Sequence, residues 1–155
     1  MKKITPKAKK IIKKVRKCAE SVFNELGQGW TESVYQKAME VALREAGIDY
    51  EDQRILPISY NGHVVGEGIP DLVVWTTIGR KRQKVAIVID LKWTRSVKET
   101  HREQVAKYIR ELKKQVKKGR KVLDTGFVIN FTKESSEKIE EFEETEGIQV
   151  LEVKA

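Results

Sequence analysis

The residues Val85-Ala86-Ile87-Val88-Ile89 form an unbroken apolar run that ends in Asp90-Leu91-Lys92. A short β-branched run of this kind, entered from a basic turn, predicts a strand buried on both faces. A second run, Ile69-Pro70-Asp71-Leu72-Val73-Val74-Trp75, carries its own acid beside the apolar residues. Placing carboxylates next to buried strands is costly unless they are paired or hold a metal. Ile69 through Lys92 is therefore the stretch around which the chain is expected to be organised.

The remainder of the 155 residues suits a single domain over 1–155, long enough for a core. With 39% hydrophobic and 35% charged residues, the composition excludes a disordered chain. A formal charge of +8 favours a polyanionic partner, nucleic acid before an anionic membrane. Cys18 is the only cysteine, which excludes an intrachain disulfide and a cysteine-based zinc site; its apolar neighbours predict a buried thiol. No 18-residue apolar stretch and no signal-peptide core is present, so an intracellular, cytoplasmic protein without membrane spans is expected.

Helical spacing of Ile11, Ile12, Val15, Ala19, Val22, Phe23 and Leu26 predicts a first helix from Thr5-Pro6 to Gly27, with a lysine-rich outer face. Thr31 caps a second helix reaching Ala46. Strands follow, with Asn61-Gly62 as a hairpin turn and Gly66-Glu67-Gly68 as a bulge or bend. Ile78 to Gln83 is a second, basic turn. A long helix is expected over Val97–Lys118, a strand over Leu123–Phe131, an acidic helix from Thr132 to Thr145 and a last strand over Ile148–Val153. The predicted order is α-α-β-β-β-α-β-α-β, a mixed α/β sandwich.

Adjacent strands would bring Asp71 and Asp90 together as hard oxygen ligands for Mg²⁺ or Mn²⁺. Lys92 shares a face with Asp90, because side chains alternate along a strand. Two acids, a divalent cation and an ammonium outline a phosphodiester hydrolysis site. The acid-x-lysine tripeptide also occurs as Glu111-Leu112-Lys113 and Glu152-Val153-Lys154, so it means little alone. Only Asp90 ends a buried strand next to a Pro-Asp strand. A plain Asp90–Lys92 ion pair is the competing reading.

Pro70-Asp71 with Asp90-Leu91-Lys92 resembles the PD-(D/E)XK nuclease superfamily. Gly29-Trp30-Thr31-Glu32-Ser33-Val34-Tyr35 resembles the motif of its GxxExxY family, and Gln104-x-x-x-Tyr108 that of RecB-like exonucleases. The resemblance spans about Leu26 to Phe131. It implies a restriction-endonuclease-like α-β-β-β-α-β core, a mixed sheet flanked by helices. It also implies Glu32, Asp71, Asp90 and the Leu91 carbonyl as metal ligands, Lys92 as catalytic lysine, and Gln104 and Tyr108 as residues orienting substrate or the lysine. Aspartate at position 90 stands where glutamate is commoner.

Around this centre, Trp30, Tyr35 and Trp93 are candidates to touch nucleic acid, alongside His101 and the turn residues Arg80, Lys81 and Arg82. Packing, helix capping and solvated charge are the ordinary roles of the same side chains. The expected activity is a Mg/Mn-dependent deoxyribonuclease leaning toward single strands or free ends. A junction-selective endonuclease acting as a homodimer and a non-catalytic binding module are the alternatives. Nothing in these residues separates RNA from DNA as substrate.

Overall fold

A computed structural model describes residues 6–94, 97–131, 142–145 and 148–155. Helix α1 (Pro6–Leu26) buries Val15, Cys18, Ala19, Val22 and Phe23, and ends where Gly27 turns into the left-handed region. Thr5 lies outside the described residues. Helix α2 (Glu32–Glu45) follows Thr31 and buries Tyr35, Met39 and Leu43 at helical spacing. The strands are β1 (Asp49–Asp52), β2 (Leu56–Tyr60), β3 (His63–Gly68), β4 (Leu72–Ile78) and β5 (Gln83–Lys92). After helix α3 (Glu99–Gln115) come β6 (Lys121–Val122), β7 (Thr125–Phe131), β8 (Phe142–Thr145) and β9 (Ile148–Lys154).

The main sheet runs β1-β4-β5-β7-β9-β8, with β6 also on β5. Strand β5 is antiparallel to β4 and parallel to β7, so the sheet is mixed, in line with a restriction-endonuclease-like core. Both faces are covered, which is why β5 reads as a continuous apolar run rather than an alternating one. Ile87, Ile89 and Leu91 join Leu72, Val74, Phe127 and Ile129 beneath α1 and α2. Ala86 and Val88 join Val73, Val128 and Leu151 beneath Val105, Ile109 and Leu112 of α3. Each fully buried aliphatic side chain contributes about 1.5–3 kcal/mol against exposure.

Gly126 lets α3 settle on the sheet. A Cβ there would stand 2.8 Å from Val105 Cγ1 and 2.9 Å from the Val88 carbonyl oxygen.

Several expectations are corrected. Strand β1 was not foreseen, because Asp-Tyr-Glu-Asp shows no apolar alternation; it is an edge recruited by the β4 backbone. The Asn61-Gly62 hairpin forms its own two-stranded sheet instead of joining the main one. Its register slips between Ile58 and Ser59, one step before the expected Gly66 bend. The strand expected over Leu123–Phe131 is β7, which starts at Thr125, and a short β6 precedes it. Of the acidic helix expected over 132–145, residues 132–141 lie outside the described residues. Phe142–Thr145 is a strand, since the free edge of β9 offers it a main-chain ladder.

Candidate active site

Asp71 sits at the entry to β4 and Asp90 near the end of β5, directly across the antiparallel pair that matches Leu72 with Ile89. Alternation places Asp71, Asp90 and Lys92 on the face that carries α3. The two carboxylates hold each other's main chains. The Asp71 N–H donates to Asp90 Oδ1 at 3.2 Å, and the Leu91 N–H donates to Asp71 Oδ2 at 2.8 Å. Lys92 Nζ stands 3.8 Å from Asp90 Oδ2 and keeps 21% of its side chain exposed, while Asp90 is nearly sealed.

Burial raises the pKa of both carboxyls. Asp71 is pushed up to about 7, by desolvation first and the Asp90 charge second, against the Leu91 N–H and Lys92. Asp90 is raised by desolvation too, while its hydrogen bonds to Asp71 and the Lys92 charge pull it back. Two buried hard-oxygen groups that resist joint ionisation are a donor set that a divalent cation would relieve. The chemistry of the Asp71 and Asp90 carboxylates therefore fits a divalent cation.

Glu32 stands apart from this pair. It opens α2, which packs on the opposite face of the sheet, and its side chain is exposed; its charge reaches Asp71 only as the weakest of the influences there. Among the described residues, no three His, Cys, Asp or Glu side chains close into a metal-sized group. What α2 does supply was missed from the sequence. Gln36, one turn after Glu32, donates through Nε2 to the Asp71 carbonyl at 3.0 Å. The i, i+4 spacing from Glu32 was the available signal.

Helix α3 covers the pair from the other side. The Tyr108 hydroxyl is hydrogen-bonded to the Ile69 main chain and to Gln104, and burial plus Asp90 raise its pKa. Its ring lies on Gly68, where a Cβ would come within 2.8 Å of Tyr108 Cε1. Tyr108 therefore clamps the step into Pro70-Asp71, and Gly68 is what admits it. Gln104 is exposed at the rim. His101 accepts from the Lys98 N–H through Nδ1 at 3.2 Å, capping α3. Burial, then Lys92 and Lys98, hold its pKa below the usual histidine value, so it is a neutral neighbour of the lysine.

A second missed device lies at the end of β7. Asn130 is fully buried; its Oδ1 accepts from the Thr94 N–H at 2.9 Å, and its Nδ2 donates to the Thr94 carbonyl at 2.7 Å and to Gln149 Oε1 at 2.8 Å. It thereby fixes the chain two residues beyond Lys92. The signal was present: a polar residue inside the apolar run Phe127-Val128-Ile129-Asn130-Phe131.

The aromatic candidates separate. Trp30 is 54% exposed, its indole N–H tied to the Leu26 carbonyl, so its ring remains open to a ligand. Tyr35 is instead a core residue, sealed, stacked on Phe131 at 5.1 Å and donating to the Gly27 carbonyl at 2.6 Å. It shapes the Gly27–Trp30 turn and is not placed to touch nucleic acid. Trp93 packs half-buried against the core under α1 and α2, away from Asp90. Arg80, Lys81 and Arg82 occupy the opposite end of the β4–β5 hairpin, about 25 Å along the strand from Asp90. A long antiparallel pair puts its turn and its open end at opposite extremes.

Fold and site together define a mixed α/β domain with an acid pair and a lysine at the open end of its central strands. The family profile described as PD-(D/E)XK nuclease superfamily matches residues 9–142, and the chain belongs to that superfamily. Membership implies nuclease hydrolase activity. No curated protein and no solved structure matches the chain.

Proposed function

We propose that this protein is a Mg²⁺- or Mn²⁺-dependent deoxyribonuclease of the GxxExxY type, acting by preference on single strands or free ends. The observation that carries the reading is the Asp71–Asp90 pair, cross-bonded through main-chain N–H groups, with Lys92 on the same sheet face. A cation held by these acids supplies positive charge to the scissile phosphate and acidifies a water. Asp71 and Asp90 hold the donor geometry, since each spends one oxygen on the neighbouring backbone, while Asp90 Oδ2 faces Lys92 Nζ at 3.8 Å. The Lys92 ammonium steadies the attacking water or the charge that builds on the phosphate oxygens. Tyr108 keeps the Pro70-Asp71 step seated, and Gln104 at the rim meets the substrate. The likeness of Gln104 and Tyr108 to RecB-like exonucleases supports the preference for ends.

The test is a panel of labelled linear, circular, single-stranded, double-stranded and four-way-junction DNA, with matching RNA, in Mg²⁺ or Mn²⁺. Linear and single-stranded DNA should be degraded by wild type and spared by Asp71→Ala and Lys92→Ala. Symmetric junction cuts by a dimer would replace this reading with the endonuclease one. Binding that survives Asp71→Ala, with no metal-dependent turnover in wild type, would reduce the protein to a binding module.

A further inference from the structure

The hairpin turn of β4–β5 and the turn between α3 and β6 meet at the end of the sheet remote from Asp90. Gln83 Nε2 donates to the Gly119 carbonyl at 3.4 Å, Val85 pairs with Lys121 in parallel register, and the Leu123 N–H bonds to the Ala86 carbonyl at 2.8 Å. Arg120 stacks its guanidinium over Trp75 at 5.3 Å, anchoring the second turn to β4. Two separate basic segments are thus joined into one surface. It presents Arg80, Lys81 and Arg82 from one turn and Lys117, Lys118 and Lys121 from the other, all exposed.

None of these six forms an ion pair among the described residues; the nearby Asp124 is engaged by Lys113. Like charges gathered on turns tied by hydrogen bonds oppose folding, and solvation alone does not require their convergence. A polyanion crossing both turns makes them attractive.

We infer that this surface is a second nucleic-acid contact, binding backbone phosphates about 25 Å from the acid pair, or roughly 7 base pairs along a duplex at 3.4 Å each. The nuclease reading enters only in naming the polyanion. The contact is independent of base sequence, because lysine and arginine turns without a groove-reading helix meet phosphate and not base edges.

The test is fluorescence anisotropy with a labelled 30-bp DNA duplex in EDTA, where no hydrolysis occurs, across about 50 to 200 mM KCl. Three proteins are compared: wild type, R80Q/K81Q/R82Q, and K117Q/K118Q/K121Q. Each triple variant should lower the slope of log affinity against log salt by about 2–3, and each should bind at least tenfold more weakly at the low-salt end. Circular dichroism checks that each variant is folded, and having two variants keeps the result readable if one is not. Unchanged slopes in a folded variant overturn the inference, even if wild type cleaves DNA. Lowered slopes with a catalytically silent wild type sustain it and sink the nuclease reading instead. Polyglutamate or phosphatidylserine vesicles binding as tightly as DNA, with the same loss in the variants, would make the surface a general anion patch and also overturn it.

Discussion

Asp71 and Asp90 each receive a hydrogen bond from the main chain on the other's side of the strand pair, from Leu91 and Asp71 respectively. The two carboxylates are therefore held by backbone that cannot swing away, and their mutual repulsion is built in. Binding and chemistry at this pair inherit that arrangement.

The first expectation concerns pH. Asp71 has its folded pKa raised from 3.8 to about 7, so the folded chain binds this proton more tightly than the unfolded one. Its contribution to stability is fully present below about pH 4 and is lost as pH climbs through 7. Metal-free protein should accordingly melt at lower temperature at pH 8 than at pH 6, and Asp71→Asn should recover a few degrees at pH 8. Added Mn²⁺ must displace the proton, so its affinity should rise up to tenfold per pH unit below 7 and level off above it. Calorimetric titration from pH 5.5 to 8.5 reads this directly; a flat profile would refute it.

Lys92 should matter for turnover far more than for holding substrate. Lys92→Ala is expected to cut kcat at least 100-fold while changing the Kd for DNA only slightly, the signature of charge stabilisation confined to the transition state. An equal rise in Kd would instead mark it as a phosphate-binding residue.

Gly68 and Tyr108 form one clamp. A methyl at Gly68 would stand 2.8 Å from the Tyr108 ring, so Gly68→Ala should displace the ring and with it the Pro70-Asp71 step. About tenfold less activity is expected, and Tyr108→Phe should cost about 1 kcal/mol of stability through its lost hydrogen bonds. Pairing the two substitutions gives a double-mutant cycle; strictly additive effects would show that the clamp does not exist.

Asn130 is expected to be a positioning residue acting through Thr94. Asn130→Ala removes two hydrogen bonds to the Thr94 main chain and one to Gln149 Oε1, which should cost roughly 2–4 kcal/mol. The readout beyond stability is kcat measured well below the melting point. It should fall several-fold with KM unmoved, and Asn130→Asp should restore little because it cannot donate to the Thr94 carbonyl.

How far the sequence could be read follows from where its signals came from. Apolar periodicity located α1, α2, α3, β4, β5 and β7, because burial on a face or a stripe imposes that pattern. The acid pair was legible through the same rule, as polar residues intruding on buried strands. Strand β1 and Phe142–Thr145 were not, since edge strands are recruited by a neighbour's backbone and need no pattern of their own. Tyr35 was misjudged because motif spacing shows which residues accompany Glu32 but not which way each points. Gln36 and Asn130 carry local signals, a helical spacing and a polar residue in an apolar run, but their partners are main-chain groups of residues distant in sequence, which those signals do not name.

The antiparallel pairing of β4 with β5 bears on the order of assembly during folding. Asp71 and Asp90 lie 19 residues apart, whereas the Asn130–Thr94 contact spans 36 and has α3 between its ends. Loop closure is cheaper for the shorter separation by about 0.6 kcal/mol per doubling, so the acids are expected to meet while α3 is still undocked and water still screens their repulsion. In that order, docking of α3 and β7 would desolvate a pair already in register, and the electrostatic cost would be met late, against a core that is largely formed.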